Sequence, residues 1–286
     1  MGSEERSGKK KRRKGRILSL LTDLYVIIIY TILYIPVAVM IAFSFNDAKR
    51  NYSWEGFTTR WYAKLFSFSN TTLWDALVYS LVIAVLATLI STVIGVLGGI
   101  GLKKFEFRAK KFINMMIFVP IIVPEIVLAV AMLIIFIILG IKMGMGTILI
   151  GHCTFCIPYA VVTIKGRISG DNETLEEASM DLGANRMQTF LRVTIPSIMP
   201  GIMSAAFLSF TLSIDDVVMS NMLAGASQST LPVLILSMNR TGISGDVNAL
   251  TTVMIVLMVA AILCQRLVSR IIAGRRSRAF TGAEEA

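Results

Sequence analysis

The chain has 286 residues, 55% of them hydrophobic and 16% charged. An ordinary soluble domain carries about 45–50% apolar and about 25% charged residues. Twenty-eight Lys and Arg against 18 Asp and Glu give a net charge of +10. Such hydrophobicity excludes a soluble nucleic-acid binder, a disordered chain, a collagen and a disulfide scaffold. It leaves an integral membrane protein whose positive charge needs a location.

Six apolar stretches are each long enough to cross a bilayer, which takes about 20 residues. In chain order they are 17–45, 77–101, 112–140, 148–165, 198–223 and 249–273. The longest gaps, 46–76 and 166–197, are too short for an independent domain. The expected organisation is therefore a basic tail (1–16), one all-α membrane domain of six helices (17–273) and a second tail (274–286).

With both termini placed inside, the basic residues sort by side. The tail 1–16 holds eight, loop 102–111 five, segment 165–197 four and the chain from 266 onward five. That is twenty-two inside, against six in 46–76, 141–147 and 224–247. Cytoplasmic loops carry such an excess. The run Lys9-Lys10-Lys11-Arg12-Arg13-Lys14 also has the chemistry to touch anionic lipid. The apolar stretch behind it is too long for a cleaved signal peptide and lacks a small-residue cleavage site.

Cysteine and histidine carry no evident chemistry. Cys153 and Cys156 form a C-x-x-C inside an apolar span, with His152 beside it and no second ligand pair. A redox motif needs a reachable thiolate and a zinc site needs more ligands. These residues, with Cys264, are expected to pack. The stretch from Gly146 to His152 has glycines but lacks the Lys and Ser/Thr of a phosphate loop. No metal or cofactor is expected on this chain. Gly95, Gly98, Gly99 and Gly101 are expected to allow close helix packing.

Segment 172–200 is not a plain polar loop. Thr174-Leu175-Glu176-Glu177 reads as a capping box, with the helix continuing to Leu182 and Gly183 ending it. A second helical piece, 185–193, leads to Pro196 at the start of the fifth span. A short helix exposed between spans is either a docking element or a membrane-surface cap.

Glu177-Ala178-Ser179, three residues, Gly183, nine residues, then Val193-Thr194-Ile195-Pro196 closely resembles the EAA loop of ABC importer permeases, E-A-A-x3-G-x9-I-x-L-P. Ser179, Val193 and Ile195 depart from it conservatively. The resemblance implies a type I (MetI-like) permease of six helices. Its coupling helix fits a cleft on a separate ATPase subunit, which carries the ATP and Mg. Glu177, Ala178 and Gly183 would form that contact, with Glu176, Ser179, Asp181, Ala184, Arg186 and Arg192 alongside. Three further stretches resemble the C-type permease of spermidine/putrescine importers: 56–62, 152–159 and 208–218, joined by 247–250. The implied partners are a second homologous permease, two ATPase subunits and an external binding protein. The implied cargo is a polyamine, and the implied location is a bacterial cytoplasmic membrane.

The intramembrane carboxylates are where cargo chemistry is expected. A charge at mid-bilayer costs about 2.5–3.5 kcal/mol on insertion scales, so Glu125, Asp215 and Asp216 are not expected to face lipid. At about 1.5 Å per residue, Glu125 lies roughly 20 Å beyond Phe112 and Asp215 roughly 22 Å beyond Pro200, which is similar depth. On a continuous helix Ser209, Ser213 and Asp216 share one face. This stripe suits a chain of protonated amines, and the alternative is pairing with Lys, Arg or freed backbone groups. Trp54, Trp61 and Tyr62 could meet incoming cargo or anchor the membrane interface.

The expected function is thus the permease subunit of an ATP-driven polyamine importer, itself no enzyme. The rivals are a permease for another small solute and an ion-coupled transporter or channel. Buried charges that are acidic favour a cation.

Overall fold

The structure, a computed structural model, describes residues 3–48, 53–68, 71–168, 170–225, 229–239, 242–260 and 263. The described residues are all-α apart from one antiparallel bridge, Asn46 to Phe57. Within the chain the contacts form two compact units, 1–70 with 241–286 and 71–240.

In the first unit, α1 (Ser3–Phe43) is continuous and takes the basic run into the helix. Its apolar length, Leu21–Phe43, suffices to cross a membrane. The chain then turns into a loop knit around α2 (Arg60–Phe66). Trp61 is buried and donates its indole N–H to the Asn46 carbonyl at 2.7 Å. Tyr62 Oη meets Ser44 Oγ at 2.6 Å, and Phe45 lies against the Phe57 and Tyr62 rings. Helix α12 (Gly245–Ala260) is apolar. It starts hard against Trp61: a Cβ on Gly245 would collide with the indole ring. Asp246 pairs there with Lys64 at 3.1 Å. The expected sixth span continues to 273; residues 264–273, Cys264 among them, and the tail 274–286 lie outside the described residues.

The second unit packs around α3 (Thr71–Lys104), α6 (Met145–Arg167) and α9 (Ile195–Ile214). Helix α3 is apolar on every side, as a span is. What distinguishes its faces is size. Ala87, Ser91, Gly95 and Gly99 recur at every fourth position and are buried, while Leu81, Val85, Leu89, Val93 and Leu97 are exposed. Small residues let helix backbones approach. A Cβ on Gly95 would stand 2.6 Å from that of Ala160, and on Gly98 and Gly99 it would meet Val161 and Ile164 at 3.2 and 3.1 Å. Gly101, expected to act likewise, faces open space.

Two spans expected to be continuous are broken. The third is α4 (Lys110–Ile122) and α5 (Glu125–Ile138), which meet at 108°. Pro124 has no N–H to donate and holds Val123 extended, at ψ 132°. The fifth ends at Ile214, and α10 (Val218–Leu223) follows after three residues. No Pro or Gly causes this break. The Asp216 carboxylate takes the amides of Met219 and Ser220, at 3.2 and 2.7 Å, and so offers the backbone an alternative to the helix ladder.

Between α6 and α9 lie α7 (Gly170–Asp181), α8 (Arg186–Thr189) and a π-helical turn (Phe190–Thr194) that runs into α9. Helix α11 (Leu231–Asn239) packs on α3, with its first amide bonded to Ser80 Oγ at 2.7 Å. Among the described residues four helices are long and apolar enough to cross a membrane, or five with the bent pair taken as one span.

Candidate functional site: an acidic cavity and an exposed hairpin

The two breaks build one cavity. Glu125 is the first residue of α5, where an acidic side chain is favoured by the helix dipole. Asp215 caps the end of α9, and Asp216 caps the start of α10. All three line a cavity of about 620 Å³ with Pro120, Pro124, Leu128, Phe155, Tyr159 and Leu212. No Lys or Arg of the described residues lines it. Its size is that of a small-molecule site.

The carboxylates differ in access. Glu125 and Asp215 are exposed, whereas the Asp216 side chain is only 1% exposed. Asp216 Oδ2 accepts the Ser220 amide and stands 3.0 Å from His152 Nε2. His152 Nε2 also lies 3.1 Å from Ser220 Oγ, and Nδ1 lies 2.6 Å from Ser213 Oγ. Glu125 shares the lining of the cavity with Asp216.

The other residues expected on the pathway lie elsewhere. Ser209 and Ser213 do not line the cavity; they are buried toward α6, where Ser213 meets His152 and the Ser209 carbonyl lies 3.6 Å from Cys156 Sγ. Because α9 stops at Ile214, the stripe does not continue to Asp216. Trp54, Trp61 and Tyr62 belong to the first unit, where Trp61 and Tyr62 are engaged in its internal hydrogen bonds and Trp54 packs edge-on against Phe43. From sequence His152 is expected only to pack and Ser220 is not singled out, whereas both meet Asp216 here. The available signal was a single histidine in an apolar span, since polar groups there seldom lack a partner.

The hairpin α7–α8 is built by local chemistry. Gly183, at φ 90°, ends α7: its amide bonds Met180 O at 2.9 Å and the Ala184 amide bonds Ser179 O at 3.1 Å, a Schellman motif. Asn185 then caps α8 in a reciprocal pair with Gln188, at 2.9 and 3.0 Å. Thr174 is no cap, because α7 starts at Gly170. Glu176 turns inward, paired with Lys104 and accepting from Thr194 Oγ1 at 2.6 Å. Ser179 Oγ meets Thr189 Oγ1 at 3.2 Å. These contacts brace α7 on α3 and on the start of α9. They leave Glu177, Ala178, Asp181, Gly183 and Arg186 exposed and Ala184 half-buried. Leu182 is 90% exposed, with Leu175, Met180 and Met187 of the same hairpin also exposed.

Apolar helices long enough to span a membrane, an acidic cavity between two broken helices and a braced hairpin between α6 and α9 are the features of a polytopic membrane component. Residues 91–278 match the family described as binding-protein-dependent transport system inner membrane component, and the chain belongs to that family. It is 38% identical over 250 residues to the spermidine/putrescine transport system permease protein PotC of Haemophilus influenzae, covering 87% of this chain and 96% of the relative. The Escherichia coli protein of that name is 39% identical over 242 residues (85% and 91%). The E. coli putrescine transport system permease protein PotI is 34% identical over 233 residues (79% and 82%). Among solved structures, the MetNI methionine ABC transporter in inward-facing conformations has a chain of similar fold. Its TM-score is 0.53 at 19% identity, covering 73% of this chain and 97% of that one.

Proposed function

We propose that the chain is a permease subunit of an ATP-driven importer for polyamines, and that Glu125, Asp215 and Asp216 form its cation pathway. The observation that carries this is their convergence on one cavity without a neighbouring Lys or Arg among the described residues. Polyamines are methylene chains between protonated amines. Carboxylates pair with the ammonium groups, and the Phe155 and Tyr159 rings beside them offer cation–π and apolar contact. The names of the PotC and PotI relatives support the same cargo.

In this reading both termini and the hairpin are cytoplasmic, in a bacterial cytoplasmic membrane. A second, homologous permease completes the pathway, two ATPase subunits dock beneath, and an external binding protein delivers cargo. The outer side of the α7–α8 hairpin, with Glu177, Ala178, Asp181, Leu182, Gly183, Arg186 and the half-buried Ala184, meets the ATPase. Its Glu176 and Ser179 brace the hairpin from inside. ATPase closure moves α7 and rocks the permeases between inward-open and outward-open states. The chain itself performs no covalent chemistry.

Uptake of labelled spermidine and putrescine by the reconstituted complex tests the proposal. Asp215→Asn and Glu125→Gln are each expected to lower it about tenfold, as losing one charge-assisted contact does. Wild-type uptake in both variants would overturn the pathway. Uptake that persists without ATP while a proton gradient is kept would favour an ion-coupled transporter instead.

A further inference from the structure

Asp216 is the enclosed member of the acidic trio, and what satisfies it is informative. A carboxylate offers about four acceptor sites. Protein donors reach it from the Met219 amide (3.2 Å), the Ser220 amide (2.7 Å) and His152 Nε2 (3.0 Å). No ion pair joins it to a Lys or Arg among the described residues. Little acceptor capacity is left for cargo, whereas Asp215 and Glu125 are open to the cavity.

His152 is the α6 side chain seen to hydrogen-bond Asp216 among the described residues. It is 1% exposed and held on its other side by Ser213 Oγ at 2.6 Å. With a neutral ring, Nε2–H donates to Asp216 and Nδ1 accepts from the Ser213 hydroxyl. With a doubly protonated ring, Nε2–H still donates to Asp216. The bond that fixes the carboxylate is thus the same in both states. The ring ties together α6, the end of α9 and the start of α10. Thr147 Oγ1 continues the seam by donating to Leu223 O at 2.8 Å, and a Cβ on Gly151 would stand 2.6 Å from Leu223. Asp215 precedes Asp216 in the chain, and Glu125 lines the same cavity, so the place of both relative to it depends on where Asp216 is held.

We propose that His152 is a positioning residue: by pinning Asp216 across α6 it sets the break between α9 and α10, so that Asp215 and Glu125 meet the ammonium groups of the cargo while Asp216 does not. This rests on the pathway reading above and divides the work among its three carboxylates.

The complete transporter is reconstituted in liposomes with saturating binding protein loaded with labelled spermidine or putrescine. The readouts are cation delivered per ATP hydrolysed and the spermidine-to-putrescine ratio. His152→Ala is expected to lower delivery per ATP about tenfold, as for a lost hydrogen bond to a charged group, and to shift the ratio. His152→Gln, whose amide can still donate to Asp216, restores most of both. The double variant His152→Ala/Asp216→Asn is no worse than the worse single one, because the two groups act as a unit. A residue that only packs would lower the thermal stability of the complex and leave delivery per ATP and the ratio unchanged; that result overturns the proposal. Should His152→Ala fail to assemble, Ser213→Ala, which frees the far side of the ring, is read the same way. If Asp215→Asn and Glu125→Gln transport normally, the pathway itself fails. If they are impaired while His152→Ala keeps both readouts, only the role of His152 fails.

Discussion

Gly95 and Gly101 sit six residues apart on α3 and do opposite things. Gly95 lies where α3 touches α6, with Ala160 in the way of any side chain; Gly101 looks onto open space. Gly95→Val is therefore expected to cost about 1–3 kcal/mol through overpacking, while Gly101→Ala leaves stability unchanged or raised, since Ala is the better helix former. Thermal unfolding of the purified protein checks the pair. At the same scale, Glu125, Asp215 and Asp216 could be singled out from sequence because charge in an apolar span is costly. The place of His152 could not. Its partners lie 61 to 68 residues away and come near only when α6 and α9 pack.

The hairpin α7–α8 shows how far local pattern reaches. Gly183 was legible as a terminator, because its φ of 90° is a conformation that costs an L-residue about 1–2 kcal/mol. Gly183→Asp is accordingly expected to abolish transport and coupled ATP hydrolysis while membrane insertion and assembly remain. Uptake and ATPase assays on the reconstituted complex, beside a membrane-fraction blot, check this. Thr174 fits a capping pattern equally well yet stands inside α7, because the helix continues four residues upstream. The breaks in the spans divide in the same way. The one before Glu125 follows from Pro124, a covalent property. The one after Ile214 follows from Asp216 bonding to amides ahead of it, which competes with a helix that the apolar residues around it would otherwise continue.

At the scale of the whole molecule, charge is the basis of the proposed orientation. Twenty-two of the 28 basic residues fall on the proposed inner side, and short loops near the spans carry the strongest topological weight. Loop 102–111 holds five of them, and Lys104 also braces α7 through Glu176. Replacing Lys103, Arg108, Lys110 and Lys111 with Ser, leaving Lys104 in place, is expected to give a mixed population. An impermeant thiol reagent directed at Leu182→Cys would then label both sides of the membrane, where the parent labels from the cytoplasm alone.

Composition alone made this a membrane protein, because apolar surface in such excess has no place in water. The spacing of the EAA-like loop and the sign of the intramembrane charges carried the reading to a permease for a cation, and the family match agrees with the first of these. Tertiary structure decided which small residues face a neighbour, that Ser209 and Ser213 turn toward α6 rather than the cavity, and that Asp216 is enclosed while Asp215 is open. The reason is physical. Burial and hydrogen-bond partnership belong to pairs of helices distant in sequence, whereas hydrophobicity, proline and charge act at the residue that carries them.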